Sequence, residues 1–232
     1  MDKIVVVNLK NNFLYKDALK YSRTIENIDS KYNLIIAPGN LYLSLFNGDY
    51  ELAAQNISEY EYICTGEETP NCLKSLGANY VFVGHGERRQ VIDDEYSIEK
   101  KALSALNNDM KIIYFIGEDK KNHPLITKEY IKAQIKNLFD LVEEEYKENV
   151  IFAFEPFWSV GSNDTYTCEE IIDFIRFIKD YIYNKYNIEA KVLYGGSVNE
   201  VTFETFIKNE LVDGVVISSY VSDPENLIRL VC

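Results

Sequence analysis

Short apolar runs rich in β-branched residues alternate along the chain with segments whose apolar positions recur at helical spacing. Eight runs stand out, at 4–7, 34–37, 52–55, 80–83, 111–116, 151–154, 191–194 and 214–217. Most are apolar at successive positions and not only at every second one, the pattern of parallel strands covered on both faces. Between them, Thr167 and Glu170 form a capping box ahead of Ile171, Phe174, Ile175, Ile178 and Ile182, a stripe at helical spacing. Thr69-Pro70 and Asp223-Pro224 each place a capping side chain before a proline at the first helical position, where its missing N–H costs nothing. Ile131, Ile135, Leu138, Phe139 and Val142 make another buried stripe, and the acidic run 143–145 beside it reads as a solvated face. A further helix is expected to begin at Ser197, with Glu200 completing its capping box.

Strand-then-helix units in this number, with no Pro/Gly/Ser-rich linker between them, predict a single-domain α/β fold over residues 1–232, a closed (β/α)8 barrel. An open doubly wound sheet matches less well, because no GxGxxG follows the first run.

Composition narrows the class. With 232 residues, 47% hydrophobic and 26% charged, the chain has the makings of a sizeable core and none of the signature of disorder. A net charge of −13, from 24 Lys+Arg against 37 Asp+Glu, repels nucleic acid and anionic membrane, so neither is an expected partner. A small anion stays open, because local donors act at contact distance while the acidic background is screened beyond about 8 to 10 Å. Cys64, Cys72, Cys168 and Cys232 show no CxxC spacing and two histidines do not complete a zinc site, which suits a reduced cytoplasmic setting. The opening MDKIVVVNLK has no signal-type apolar region and no stretch approaches 18 apolar residues, so neither secretion nor membrane spanning is expected.

Barrel active sites gather at the C-terminal ends of the strands, so the polar residues directly after each run are the candidates. Asn8-Leu9-Lys10 follows the first run, Gly84-His85-Gly86-Glu87-Arg88-Arg89 the fourth, Glu155-Pro156-Phe157-Trp158 the sixth and Gly195-Gly196-Ser197 the seventh. Taken singly, Lys10 reads as a rim lysine, His85 as a structural histidine and Glu155 as the partner of a nearby cation. Together they offer a cation, an electrophile and a carboxylate base, a set suited to proton abstraction beside a carbonyl. Gly195 and Gly196 allow close backbone approach, and a helix start at Ser197 directs N–H groups at an anion. Ser218-Ser219 after the eighth run is placed to complete such a cradle. The segment 156–166, with its single glycine at Gly161, reads either as a lid that shuts out water or as an ordinary strand-to-helix loop. His123 reads as a plain surface-loop residue.

These segments resemble the triosephosphate isomerase family along nearly the whole chain. Asn8-Leu9-Lys10 is similar to the family's N-x-K, Ala54-Gln55-Asn56 to its AQN and Thr65-Gly66-Glu67 to the TGE of its dimer loop. The segment 84–89 resembles GHSERR, 154–158 resembles YEPVW and 194–197 resembles YGGS. The resemblance implies a (β/α)8 TIM barrel, acting as a homodimeric cytoplasmic enzyme of glycolysis and gluconeogenesis. It also implies interconversion of dihydroxyacetone phosphate and D-glyceraldehyde 3-phosphate through an enediolate, without cofactor or metal. Glu155 would be the base, Lys10 the electrostatic partner of substrate and enediolate, and His85 a neutral electrophile, a state known for this family and carried over with the resemblance. Asn8 and Glu87 would support them, and phosphate would rest near Gly161, Ser197, Ser218 and Ser219, beside Gly195 and Gly196.

Several positions depart from the family pattern. Gly86 replaces the serine of GHSERR and removes a hydroxyl that can hold the base. Ser218-Ser219 replaces a Gly-Gly pair, Ser162-Asn163-Asp164 a T-G-K type end, and the dimer-loop segment 57–64 is shorter and lacks a glycine. Phe115 stands where a cysteine is usual, an exchange expected to matter for packing alone. Two alternatives follow from these loops: an isomerase for a longer sugar phosphate such as a tetrulose phosphate, or a barrel without catalysis.

Overall fold

A computed structural model describing residues 3–60, 62, 64–159 and 164–232 contains eight parallel strands closed in sequential order. They are β1 (Ile4–Asn8), β2 (Asn33–Ala37), β3 (Glu51–Ala54), β4 (Ala78–Val83), β5 (Lys111–Ile116), β6 (Val150–Phe154), β7 (Lys191–Tyr194) and β8 (Gly214–Ile217). Each expected run became a strand, with bounds shifted by two residues at most; β4 reaches back to Ala78. Closure is made by β1 against β8, with Ile4 opposite Gly214 and Val7 opposite Ile217.

Helices cover the outside: α1 (Tyr15–Thr24), α2 (Pro70–Ser75), α3 (Gly86–Val91), α4 (Glu95–Leu106), α5 (Pro124–Phe139), α6 (Cys168–Tyr186), α7 (Glu200–Lys208) and α8 (Pro224–Val231). The β2–β3 connection holds a 3₁₀ turn, Asn40–Leu45, in place of an α-helix, and two helices, α3 and α4, separate β4 from β5. The capping box of α6 is formed as expected, with Thr167 Oγ1 accepting from Glu170 N and Glu170 accepting from Thr167 N. Thr69 and Asp223 likewise cap α2 and α8 ahead of their prolines. His123, expected to be an ordinary loop residue, is exposed and accepts the Leu125 N–H as the cap of α5. Val142, assigned by periodicity to the α5 stripe, is buried three residues beyond the helix end at Phe139.

Strand residues sort by parity. Ile4, Val6, Ile35, Ala37, Ala53, Phe82, Ile113, Phe115, Ile151, Ala153, Leu193 and Val216 fill the barrel interior. Their odd-even complements Val5, Val7, Leu34, Ile36, Val81, Ile112 and Val215 pack outward with the helix stripes of α4, α5 and α6. Both faces of every strand are thereby dry, which is why the runs lack polar alternation. Each fully buried aliphatic side chain adds about 1.5–3 kcal/mol of transfer free energy. The same parity continues past the strand ends: the inward series 4, 6 leads to Asn8, 151, 153 to Glu155, 193 to Gly195 and 216 to Ser218. Four candidate residues are therefore aimed into the barrel mouth by pleat alone.

Candidate active site

Glu155 lies just past β6 at 2% exposure, and two groups from the β4–α3 junction meet its carboxylate. The Gly86 N–H donates to Oε2 at 2.8 Å, and His85 Nε2 stands 3.4 Å from Oε1. Burial pushes the Glu155 carboxyl above the ordinary glutamate range; His85, the Gly86 N–H and Lys10 pull against that shift and Glu87 adds to it. Gly117, the next inward position after β5, has its Cα against this corner: a Cβ there would sit 1.9 Å from the Glu155 carbonyl oxygen. Only glycine lets the two strand ends approach so closely.

His85 is the cap of α3, and its Nδ1 accepts the Glu87 N–H at 3.3 Å. The direction of that backbone donor is fixed, so a neutral ring carries its proton on Nε2, facing Glu155. Asn8 Nδ2 also approaches Nε2, at 3.2 Å. Two donors do not bond to each other, so this approach is a packing contact, held by the Lys10 N–H that Asn8 Oδ1 accepts at 2.9 Å. Phe115 does more than fill the barrel: its ring stands edge-on to the imidazole, centroids 4.8 Å apart. Phe115 therefore braces the candidate electrophile.

Lys10 has φ +50°, a left-handed conformation that costs a non-glycine residue roughly 1–3 kcal/mol. It is held from both sides, its N–H by Asn8 and its carbonyl by Gln55 Nε2 at 2.9 Å, while Nζ pairs with Glu87 at 2.5 Å. Gln55 also donates to the Ala37 carbonyl at 2.9 Å and so ties the ends of β1, β2 and β3 together.

Lys10, His85 and Glu155 open onto one cavity of about 140 Å³, whose other wall is built from Gly195, Gly196, Ser197, Ser218 and Ser219. The N–H of Gly195 is spent on the Phe154 carbonyl, at 2.8 Å, so this glycine offers space and not a donor. Ser197 is not a helix start. Its hydroxyl donates to the Ser159 carbonyl at 3.1 Å, and α7 begins at Glu200 under a box formed by Asn199 and Thr202. Glu200, expected to complete the box, instead accepts from the Tyr220 hydroxyl. Ser218 heads the 3₁₀ turn Ser219–Ser222 that leads from β8 into α8. Gly161, Ser162 and Asn163 lie outside the described residues; Asp164, next in line, pairs with Lys121 at 3.0 Å.

A further buried carboxylate lies at this end of the barrel. Glu118 follows β5 as Glu155 follows β6, is 1% exposed, and accepts from Trp158 Nε1 at 2.9 Å and from the Tyr166 hydroxyl at 2.8 Å. It joins the two described ends of the segment 156–166, and its sequence signal is a carboxylate two residues past the fifth run, behind Gly117. Burial raises its carboxyl above the usual range, against the opposing pull of those two bonds.

A buried carboxylate, an imidazole N–H and a lysine around one barrel-mouth cavity define a proton-transferring (β/α)8 enzyme. Residues 3–232 match the family model described as triosephosphate isomerase. The chain is similar to the triosephosphate isomerase of Orientia tsutsugamushi (strain Ikeda), 34% identical over 250 residues that cover 100% of this chain and 97% of the relative. It is 31% identical to that of Aquifex aeolicus (strain VF5), covering 100% and 99%, and 32% identical to that of Alkaliphilus oremlandii (strain OhILAs), covering 91% and 93%. The chain belongs to the triosephosphate isomerase family. Relatives named for the triose do not favour the longer-sugar or non-catalytic alternatives.

Proposed function

We propose that the protein interconverts dihydroxyacetone phosphate and D-glyceraldehyde 3-phosphate, with Glu155 as base, His85 as electrophile and Lys10 as counter-charge. The carboxylate removes a proton from the carbon beside the carbonyl while the His85 Nε2–H and the Lys10 ammonium meet the oxygen on which negative charge develops. Returning the proton to the neighbouring carbon, as the substrate's hydroxyl proton passes to the former carbonyl oxygen, completes an isomerisation in which one C–H and one O–H bond break, one of each forms, and no oxidant or reductant is consumed. Glu87 and Asn8 hold Lys10, and Asn8 packs on His85. Phosphate is placed against the opposite wall, near Ser197, Ser218 and Ser219, with Gly195 and Gly196 leaving it room, and with Gly161 carried over from the family.

The carrying observation is the 3.4 Å approach of His85 Nε2 to a buried Glu155 carboxylate beside Lys10. A coupled assay tests the substrate: kcat/KM for triose phosphate is expected to exceed that for a tetrulose phosphate, and the reverse order would overturn the assignment.

The protein is further proposed to act as a homodimer in the cytoplasm. A second cavity of about 320 Å³ is lined by Lys10, Glu87 and Leu41, and Leu41 is 80% exposed. Leu14 and Tyr62, at 74% and 67%, are apolar surface of the kind a partner covers. All four cysteines are free thiols, which suits a reducing compartment. Among the described residues, no helix is long and apolar enough to cross a membrane.

A further inference from the structure

Two departures from the family motifs meet in space. Gly86 stands where GHSERR has serine, and Phe157 where YEPVW has valine. A Cβ built on Gly86 would lie 2.6 Å from Cδ1 and 2.9 Å from Cγ of Phe157, and 3.1 Å from Glu155 Oε2. The aromatic ring therefore occupies the volume that any side chain at 86 would need, and the carboxylate borders the same volume. Phe157 is 6% exposed, its N–H donates to the Glu118 carbonyl at 3.0 Å, and its ring lies 5.7 Å from the Arg89 guanidinium. Held from its backbone and from one face, the ring has little freedom to swing away.

We propose that Gly86 and Phe157 work as one positioning unit for Glu155: the missing side chain admits the ring, the ring keeps water from Oε2, and the Gly86 N–H becomes the donor at that oxygen. Oε1 is left turned toward His85 and the cavity. Neither residue touches substrate; both act through the base, so the inference rests on the reading of Glu155 given above. The raised carboxyl of Glu155 accords with a ring that excludes water on one side.

The unit predicts non-additivity, because a serine at 86 and the ring at 157 compete for one space. The test is a set of four proteins, wild type, Gly86→Ser, Phe157→Val and the double variant, with Glu155→Gln measured alongside. Gly86→Ser is expected to lower kcat about tenfold or more with KM changed far less, as for a displaced base. Phe157→Val is expected to move the acid limb of the kcat/KM profile to lower pH, because water returns to the carboxylate. The double variant is expected to recover most of the kcat lost in Gly86→Ser. A double variant that merely multiplies the two losses, or a Phe157→Val limb at the wild-type pH, overturns the proposal. Should Gly86→Ser fail to fold, folding of the double variant supports the shared space, and if both fail the Phe157→Val limb decides. A Glu155→Gln protein with wild-type turnover would instead refute the base assignment, so the two failures are told apart.

Discussion

The Glu87 N–H donates to His85 Nδ1 at 3.3 Å, and with that bond a residue two positions past the histidine sets which ring nitrogen can serve the substrate. The proton of the neutral ring is directed to Nε2, into the cavity shared with Glu155. Nitrogen chemical shifts of the His85 ring should therefore report the Nε2–H tautomer, and Nδ1–H would contradict the assigned role. His85→Gln, folded but lacking the imidazole, should lose about 10²- to 10³-fold in kcat, as when one oxyanion donor is removed.

Glu155 carries a stability cost that is the counterpart of its chemistry. Its folded-state carboxyl titrates above the ordinary glutamate value of 4.5 because burial disfavours the charge. As pH rises through the unfolded value, the unfolded chain releases its proton first, so stability falls until the folded group also ionises. Glu155→Gln should then be as stable as wild type at pH near 4 and more stable at neutral pH. Thermal melts across that interval check it; a difference that narrows with rising pH would contradict the burial argument.

Glu118 offers one oxygen to two donors, Trp158 Nε1–H and the Tyr166 hydroxyl. Glu118→Ala removes the acceptor of the buried Tyr166 hydroxyl and the half-buried Trp158 indole, at about 1–3 kcal/mol. Glu118→Gln keeps an acceptor and should cost less. Denaturant midpoints of the two variants rank them, and equal losses would show that the bonds contribute nothing.

Gln55 is the residue that holds Lys10 in its left-handed conformation from the carbonyl side. Gln55→Leu should relax the Lys10 backbone and lower kcat/KM by about 10- to 100-fold, the scale of an ångström-sized misplacement, with the fold retained. Unchanged kinetics would mean that the Asn8 bond suffices.

Sedimentation equilibrium should give twice the chain mass, and Leu41→Lys should shift the protein toward single chains by placing a charge on the apolar rim. A wild-type protein that sediments as one chain would remove the dimer from the account.

How the barrel and its site were legible follows from parity. Strand pleat projects Asn8, Glu155, Gly195 and Ser218 into the mouth, so most of the candidate residues that follow the runs line one cavity. Ser197 was misplaced because two capping signals overlap: Ser197 with Glu200, and Asn199 with Thr202. The choice is made by a distant contact, the Ser197 hydroxyl bound to the Ser159 carbonyl, which no local pattern contains. Gln55 sat in a recognised motif, but its two long-range carbonyl partners are visible only in the fold. Phe157 and Gly86 are 71 positions apart and share a space that neither advertises alone.

The turnover of folded Glu155→Gln with triose phosphate bears most directly on the whole account. A general base that moves a carbon-bound proton predicts a fall of about 10²- to 10⁴-fold in kcat with circular dichroism unchanged. A folded variant that turns over within tenfold of wild type would place the proton transfer on another group and contradict the central claim.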